Sequence, residues 1–106
     1  MPRYDHPFYQ PATHGFVRTA AATPVVHVAG PVANGDEHEA LILKAAEQGV
    51  DLLVFPELSL SAYAIDDLHM QAALLDAVED QIARLSALTE QVDLVAVVGA
   101  PIRHGD

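Results

Sequence analysis

The sequence predicts an α/β fold in which short parallel strands are joined by helical crossovers. Three observations carry that prediction. The stretches "DLLVFPE" and "DLVAVVGAP" are matching short apolar runs, each closed by proline, with glycine also in the second. A long segment of helical periodicity lies between them. A second helical segment with its own start and stop signals precedes "DLLVFPE" and follows an earlier short apolar run, so the order is strand, helix, strand, helix, strand. Consecutive strands linked this way run parallel through right-handed crossovers, giving an open α/β sheet.

Residues 1–15 contain three prolines and no hydrophobic period, and read as an irregular arm ahead of the domain proper. The run "FVRTAAA" (16–22) is the first strand, stopped near Pro24, which has no N–H to give to a ladder. In "GPVANGDEHEALILKAAEQGVD" Asn34 or Asp36 is the expected N-cap. Asp36, Glu37 and Glu39 are expected to face the positive end of the helix dipole, and Gly49 suits the left-handed position after the last turn. Leu41, Ile42, Ala45 and Ala46 form the apolar stripe of this helix.

Residues 51–55 then form a strand of the kind buried on both faces, ended by Pro56. After a polar loop around "AIDDLHM", Leu75, Val78, Ile82 and Leu85 recur at steps of three and four through residues 74–91, with Asp76, Glu79, Asp80 and Arg84 off the stripe. Residues 94–98 form the last strand, closed by Gly99 and Pro101. Two helices on three strands cover one face of a sheet that needs both covered, so a partner subunit or further chain is expected.

At 106 residues the chain is one domain at most, and its apolar content of 51% is that of a globular protein. Fifteen acidic residues against five basic ones argue against binding nucleic acid or an anionic membrane by charge. No apolar run is long enough for a secretory signal or a membrane span, which makes the cytosol the default expectation. With no cysteine, disulfides, thiolate metal sites and a cysteine nucleophile are absent from these residues. The six histidines show no i,i+3 or i,i+4 pair, so no metal site is expected. Ser59 and Ser61 lack a G-x-S-x-G elbow, and the isolated glycines form neither a dinucleotide fingerprint nor a phosphate loop.

The candidate for chemistry is Glu57, just past the end of the middle strand, where parallel α/β sheets gather functional groups. By default a loop glutamate is a solvated charge. The apolar flanks "LLVFP" and "LSLSAY" instead predict partial desolvation, the setting in which a carboxylate becomes an effective general base.

The segment "FPELSLSAY" (55–63) resembles the first catalytic motif of the nitrilase, or carbon–nitrogen hydrolase, superfamily, close to F-P-E-L-x-L-x-G-Y. "GPVANGDEHEALILKAAEQGVDLLVFPE" is similar to that family's first helix and glutamate strand, and "VDLVAVVGAPIRHGD" to its later strand with G-x-P. The opening "FYQPATHGFVRTAAAT" is similar to the glutaminase domains of glutamine-dependent NAD(+) synthetases. The resemblance implies that residues 16–106 are the first part of a four-layer α-β-β-α sandwich bearing a Glu-Lys-Cys triad. In that family the cysteine attacks the amide carbon, the glutamate acts as base and the lysine steadies the oxyanion. It assigns Glu57 as the base and, more weakly, Tyr63 to the glutamine pocket. It implies glutamine as substrate, no cofactor in this segment, ATP and Mg2+ only in a separate synthetase domain, and a homo-oligomer.

Lys44, the only lysine, falls at the wrong place in the family order, and no cysteine is present, so the 106 residues by themselves are expected to be inactive. Ala62 stands where the family usually has glycine; if that position is left-handed, alanine costs about 1 kcal/mol. The alternatives are part of another amidase of the superfamily, acting on aliphatic or carbamoyl amides, or a non-catalytic α/β interaction module.

Overall fold

The computed structural model describes residues 6–62 and 71–105. Tyr63 and the expected loop at 64–70 lie outside the described residues. Strands β1 (Thr19–Ala21), β2 (Leu52–Val54) and β3 (Val95–Val97) form one sheet in the order β1-β2-β3, with helices α1 (Pro31–Glu47) and α2 (Ala72–Gln91) as the crossovers. Both strand pairs are parallel, with Thr19, Leu52 and Val95 in register, then Ala20, Leu53 and Ala96, then Ala21, Val54 and Val97. The sheet advances in one direction with one crossover handedness, so α1 and α2 lie side by side on the same face.

Alternation along the strands sorts the two faces. Leu53 is buried and Ala20 and Ala96 pack beneath the helices, joining Ile42, Ala45, Val50, Phe55, Leu60, Leu85 and Leu94 in the core. Val54, Val95 and Val97 point the other way and are 40%, 62% and 48% exposed. Among the described residues the middle strand is therefore covered on one face only, where its unbroken apolar run suggested two. The both-faced pattern is present in the side chains, but only one layer of helices meets it.

Both helical stripes are as expected. Ile42 and Ala45 are buried with Leu41 and Ala46 against them, and Leu75, Val78 and Leu85 are buried with Ile82 alongside. The end of α1 is a Schellman motif: Gly49 is left-handed at φ 74, its N–H donates to the Ala46 carbonyl, and the Val50 N–H donates to the Ala45 carbonyl.

The start of α1 differs from expectation. Gly30 is the N-cap and Pro31 the first helical residue, where its missing N–H costs nothing. Asn34 and Asp36 thus fall inside the helix, and no acidic residue occupies the first turn. Asp36 and Glu39 instead accept from Arg84 of α2 at 2.8 and 2.6 Å, tying the two helices together, while Glu37 sits 3.8 Å from the His27 ring.

The arm carries local order, with single 3-10 turns at Pro7–Tyr9 and Pro11–His14, each opened by a proline. Phe16 and Val17 remain exposed, so the first strand is shorter than its apolar run. At the far end Arg103 pairs with Asp76 and, at 3.6 Å, with Glu79 of α2.

Candidate active site

Glu57 lies two residues beyond Phe55, past the C-terminal end of the central strand. The Phe55 N–H donates to the Val97 carbonyl at 2.8 Å, so pairing with β3 persists to the edge of the loop. The chain then coils tightly: Ser59 N–H donates to the Pro56 carbonyl, and Ser61 and Ala62 N–H groups donate to the Leu58 carbonyl. Leu58 (φ 55) and Ala62 (φ 73) are both left-handed, as is Ala29 (φ 51), whose N–H donates to the Ser61 carbonyl. Each costs about 1–2 kcal/mol relative to ordinary backbone, and such residues persist where surroundings over-determine them. The expected left-handed requirement at position 62 is met, and alanine bears it.

The loop is gripped from two elements. From the chain just past β3, Gly99 accepts the Leu60 N–H at its carbonyl (3.0 Å) and donates its own N–H to Ser59 Oγ (3.3 Å). A Cβ on Gly99 would lie 2.2 Å from the Pro56 carbonyl oxygen and 2.4 Å from the Leu58 nitrogen, so only glycine permits this approach.

From α1, the fully buried Asn34 donates to the His27 carbonyl (2.8 Å) and the Leu60 carbonyl (2.9 Å) and accepts the His27 N–H (2.6 Å). One turn on, the fully buried His38 contacts Ser59 Oγ (2.8 Å) and stacks on Phe55 with ring centroids 4.2 Å apart. Among the described residues every buried side-chain polar atom has a partner.

The coil turns Ser59, Leu60, Ser61 and Ala62 inward and leaves Pro56 and Glu57 exposed. The expected desolvation of Glu57 is thus not realised: the apolar flanks bury themselves and leave residue 57 exposed at the rim of a hydrogen-bonded loop. Lys44 is exposed in the last turn of α1. Because α1 runs antiparallel to the strands, that turn lies near their N-terminal ends, away from Glu57. Among the described residues no group of three or more histidines or carboxylates could hold a metal ion, and no helix is long and apolar enough to cross a membrane.

Asn34 and His38 escaped the sequence reading as site residues. Their signal was the spacing 34, 38, 42, 45, which extends the apolar stripe of α1 backwards through two polar residues.

Two measurements follow from this network. Asn34→Ala leaves two carbonyls and one N–H without their buried partner and is expected to cost about 2–4 kcal/mol, read as a lower urea midpoint. Burial pushes the His38 imidazole below its usual 6.5, opposed in part by its hydrogen bond to the Asn34 carbonyl and by the charge of Glu37. Well above pH 6.5 neither folded nor unfolded chain binds this proton; as pH falls through 6.5 the unfolded chain takes it first. Stability is then lost, by up to about 1.4 kcal/mol per pH unit, until the lowered folded value is reached. Urea titrations at pH 7.5 and 5.5 should show that loss, and a His38→Leu chain should show less of it.

A parallel α/β unit with an acid at the C-terminal rim of its central strand, on a loop held from a helix and the next strand, belongs to the class whose chemistry is set at strand ends. The family model for carbon–nitrogen hydrolases matches residues 20–106, and the chain belongs to that family. It is 48% identical over 97 residues to the glutamine-dependent NAD(+) synthetase of Mycobacterium tuberculosis (strain ATCC 25618 / H37Rv), covering 92% of this chain and 14% of that protein. The Mycobacterium leprae enzyme of the same name is 38% identical over the same length. The crystal structure of a glutamine-dependent NAD(+) synthetase from Cytophaga hutchinsonii superimposes with a TM-score of 0.76 at 20% identity, over 84% of this chain and 15% of that one, and shares its fold. The chain thus spans about 14–15% of the length of these relatives.

Proposed function

We propose that these residues are the first part of the glutaminase domain of a glutamine-dependent NAD(+) synthetase, in which Glu57 is the general base. The near-half identity to the Mycobacterium tuberculosis enzyme across almost the whole chain carries the reading. In this mechanism Glu57 takes the proton of a cysteine thiol, the thiolate attacks the side-chain amide carbon of glutamine, and a lysine steadies the oxyanion. Glu57 gives that proton to the departing nitrogen, which leaves as ammonia, and water then resolves the thioester to glutamate and free thiol. Glu57 stands at the exposed rim of a loop that Asn34, His38 and Gly99 hold by hydrogen bonds. The nucleophile and the lysine come from outside residues 1–106, which hold no cysteine and only Lys44.

Ammonia then serves amidation of deamido-NAD(+) in a synthetase domain using ATP and Mg2+, within a cytoplasmic homo-oligomer. Tyr63 is proposed to line the glutamine pocket. No cofactor is proposed for this segment.

Residues 1–106 alone are expected to release no ammonia from glutamine above background. A chimera in which they replace the first segment of the Mycobacterium tuberculosis synthetase should hydrolyse glutamine and make NAD(+) from it. A folded chimera that prefers an aliphatic or carbamoyl amide would reject the glutamine assignment, and Glu57-dependent ammonia release by the short chain would reject the triad.

A further inference from the structure

We propose that His38 is a positioning residue for Glu57: through Ser59 it fixes the loop that carries the carboxylate against the end of β3. The inference rests on the reading of Glu57 as base, while the relay itself rests on contacts within this chain.

His38 Nδ1 is 2.6 Å from the backbone carbonyl of Asn34, which can only accept, so Nδ1 carries the ring proton. Nε2 is then a lone pair, and the Ser59 hydroxyl 2.8 Å away donates to it. A hydroxyl has one proton and two lone pairs, which leaves Ser59 Oγ to accept the Gly99 N–H at 3.3 Å. Each proton in the path from Asn34 to Gly99 has one place to go, so the ring tautomer sets the serine rotor and the serine rotor sets the strand end.

The same imidazole stacks on Phe55, two residues before Glu57, and bonds Ser59, two residues after it. A single side chain of α1 therefore brackets the glutamate on both sides, and Gly99 closes the loop from above through contact with the Pro56–Leu58 backbone. Packing alone does not call for histidine here: the position continues the stripe of Ile42 and Ala45, and burying a ring with two polar nitrogens costs free energy unless both are bonded. Burial favours the neutral ring that the relay needs.

The test uses the full-length chimera with His38→Leu, His38→Gln and Ser59→Ala, read by hydrogen exchange of peptides covering Leu60 and Gly99 and by glutaminase kinetics. His38→Leu and Ser59→Ala should speed exchange at both sites and lower kcat about tenfold to a hundredfold with KM little changed. His38→Gln, whose Oε1 can accept the serine hydroxyl, should restore both. Ser59→Ala cuts the link from its far end and decides the matter if the leucine variant does not fold.

Unchanged exchange in the leucine and alanine variants overturns the relay. Faster exchange with unchanged kcat overturns the positioning role, and equal loss in the leucine and glutamine variants reduces His38 to packing. If the parental chimera lacks glutaminase activity, the functional reading fails instead, and the positioning role falls with it, while exchange still decides the relay.

Discussion

Replacing Glu57 by glutamine in the chimera is expected to lower glutamine-driven NAD(+) formation by about 10²–10⁴-fold, the usual contribution of a positioned general base. Glutamine keeps the size and most of the hydrogen bonding of the residue but cannot accept a proton at neutral pH. The loss should fall on kcat, because base catalysis acts in the transition state rather than in glutamine binding. Ammonia supplied directly bypasses the glutaminase step and controls for folding of the remainder. A Glu57→Gln chimera within a few-fold of the parent would remove Glu57 from the chemistry altogether.

Gly99→Ala is expected to have a large structural effect. Its Cβ would meet the Pro56 carbonyl oxygen at 2.2 Å, the Leu58 nitrogen at 2.4 Å and the Glu57 carbonyl carbon at 2.7 Å, all of them backbone. No rotamer change relieves that, so the loop or the end of β3 must move, at about 3 kcal/mol, the upper end of ordinary overpacking. The loop cannot give way cheaply, being bonded to Asn34 through Leu60 and to His38 through Ser59 as well. A displaced Glu57 should further cost about a hundredfold in kcat. Gly35→Ala is the comparison: its Cβ would meet the Gln81 amide oxygen at 2.0 Å, the end of a side chain that can turn aside by giving up its hydrogen bond from Arg84, at about 1 kcal/mol. Urea midpoints should separate the two substitutions clearly; similar midpoints would mean that the close approach at Gly99 is not maintained in solution.

The fold was legible because its signals are local. Strands ended by Pro56 and Pro101, helices with three-and-four stripes and a glycine at the left-handed C′ position each announce themselves within one turn of chain. The start of α1 was misread for the same reason. Asn34 and Asp36 are good caps in isolation, but Pro31 after Gly30 had already begun the helix, and the bond that explains Asn34 reaches Leu60, 26 residues away.

At the site, the position of Glu57 followed from strand order, and the left-handed backbone at Ala62 from the motif. The exposure of its carboxylate did not follow. Apolar neighbours predict burial only if the chain stays extended, and here it coils at left-handed Leu58, turning Leu60 inward instead. The His38 relay and the Gly99 contact join residues 21 and 40 positions from Ser59, beyond any local pattern.

The bare valine face also has a calorimetric meaning. Val54, Val95 and Val97 present an apolar patch to solvent, and the water that hydrates apolar groups raises the heat capacity. Any apolar surface that closes over the sheet expels that water, so the union lowers the heat capacity, and its enthalpy becomes steadily more favourable on warming. The same three side chains make that union weakest in the cold, where the drive to shed apolar hydration fades.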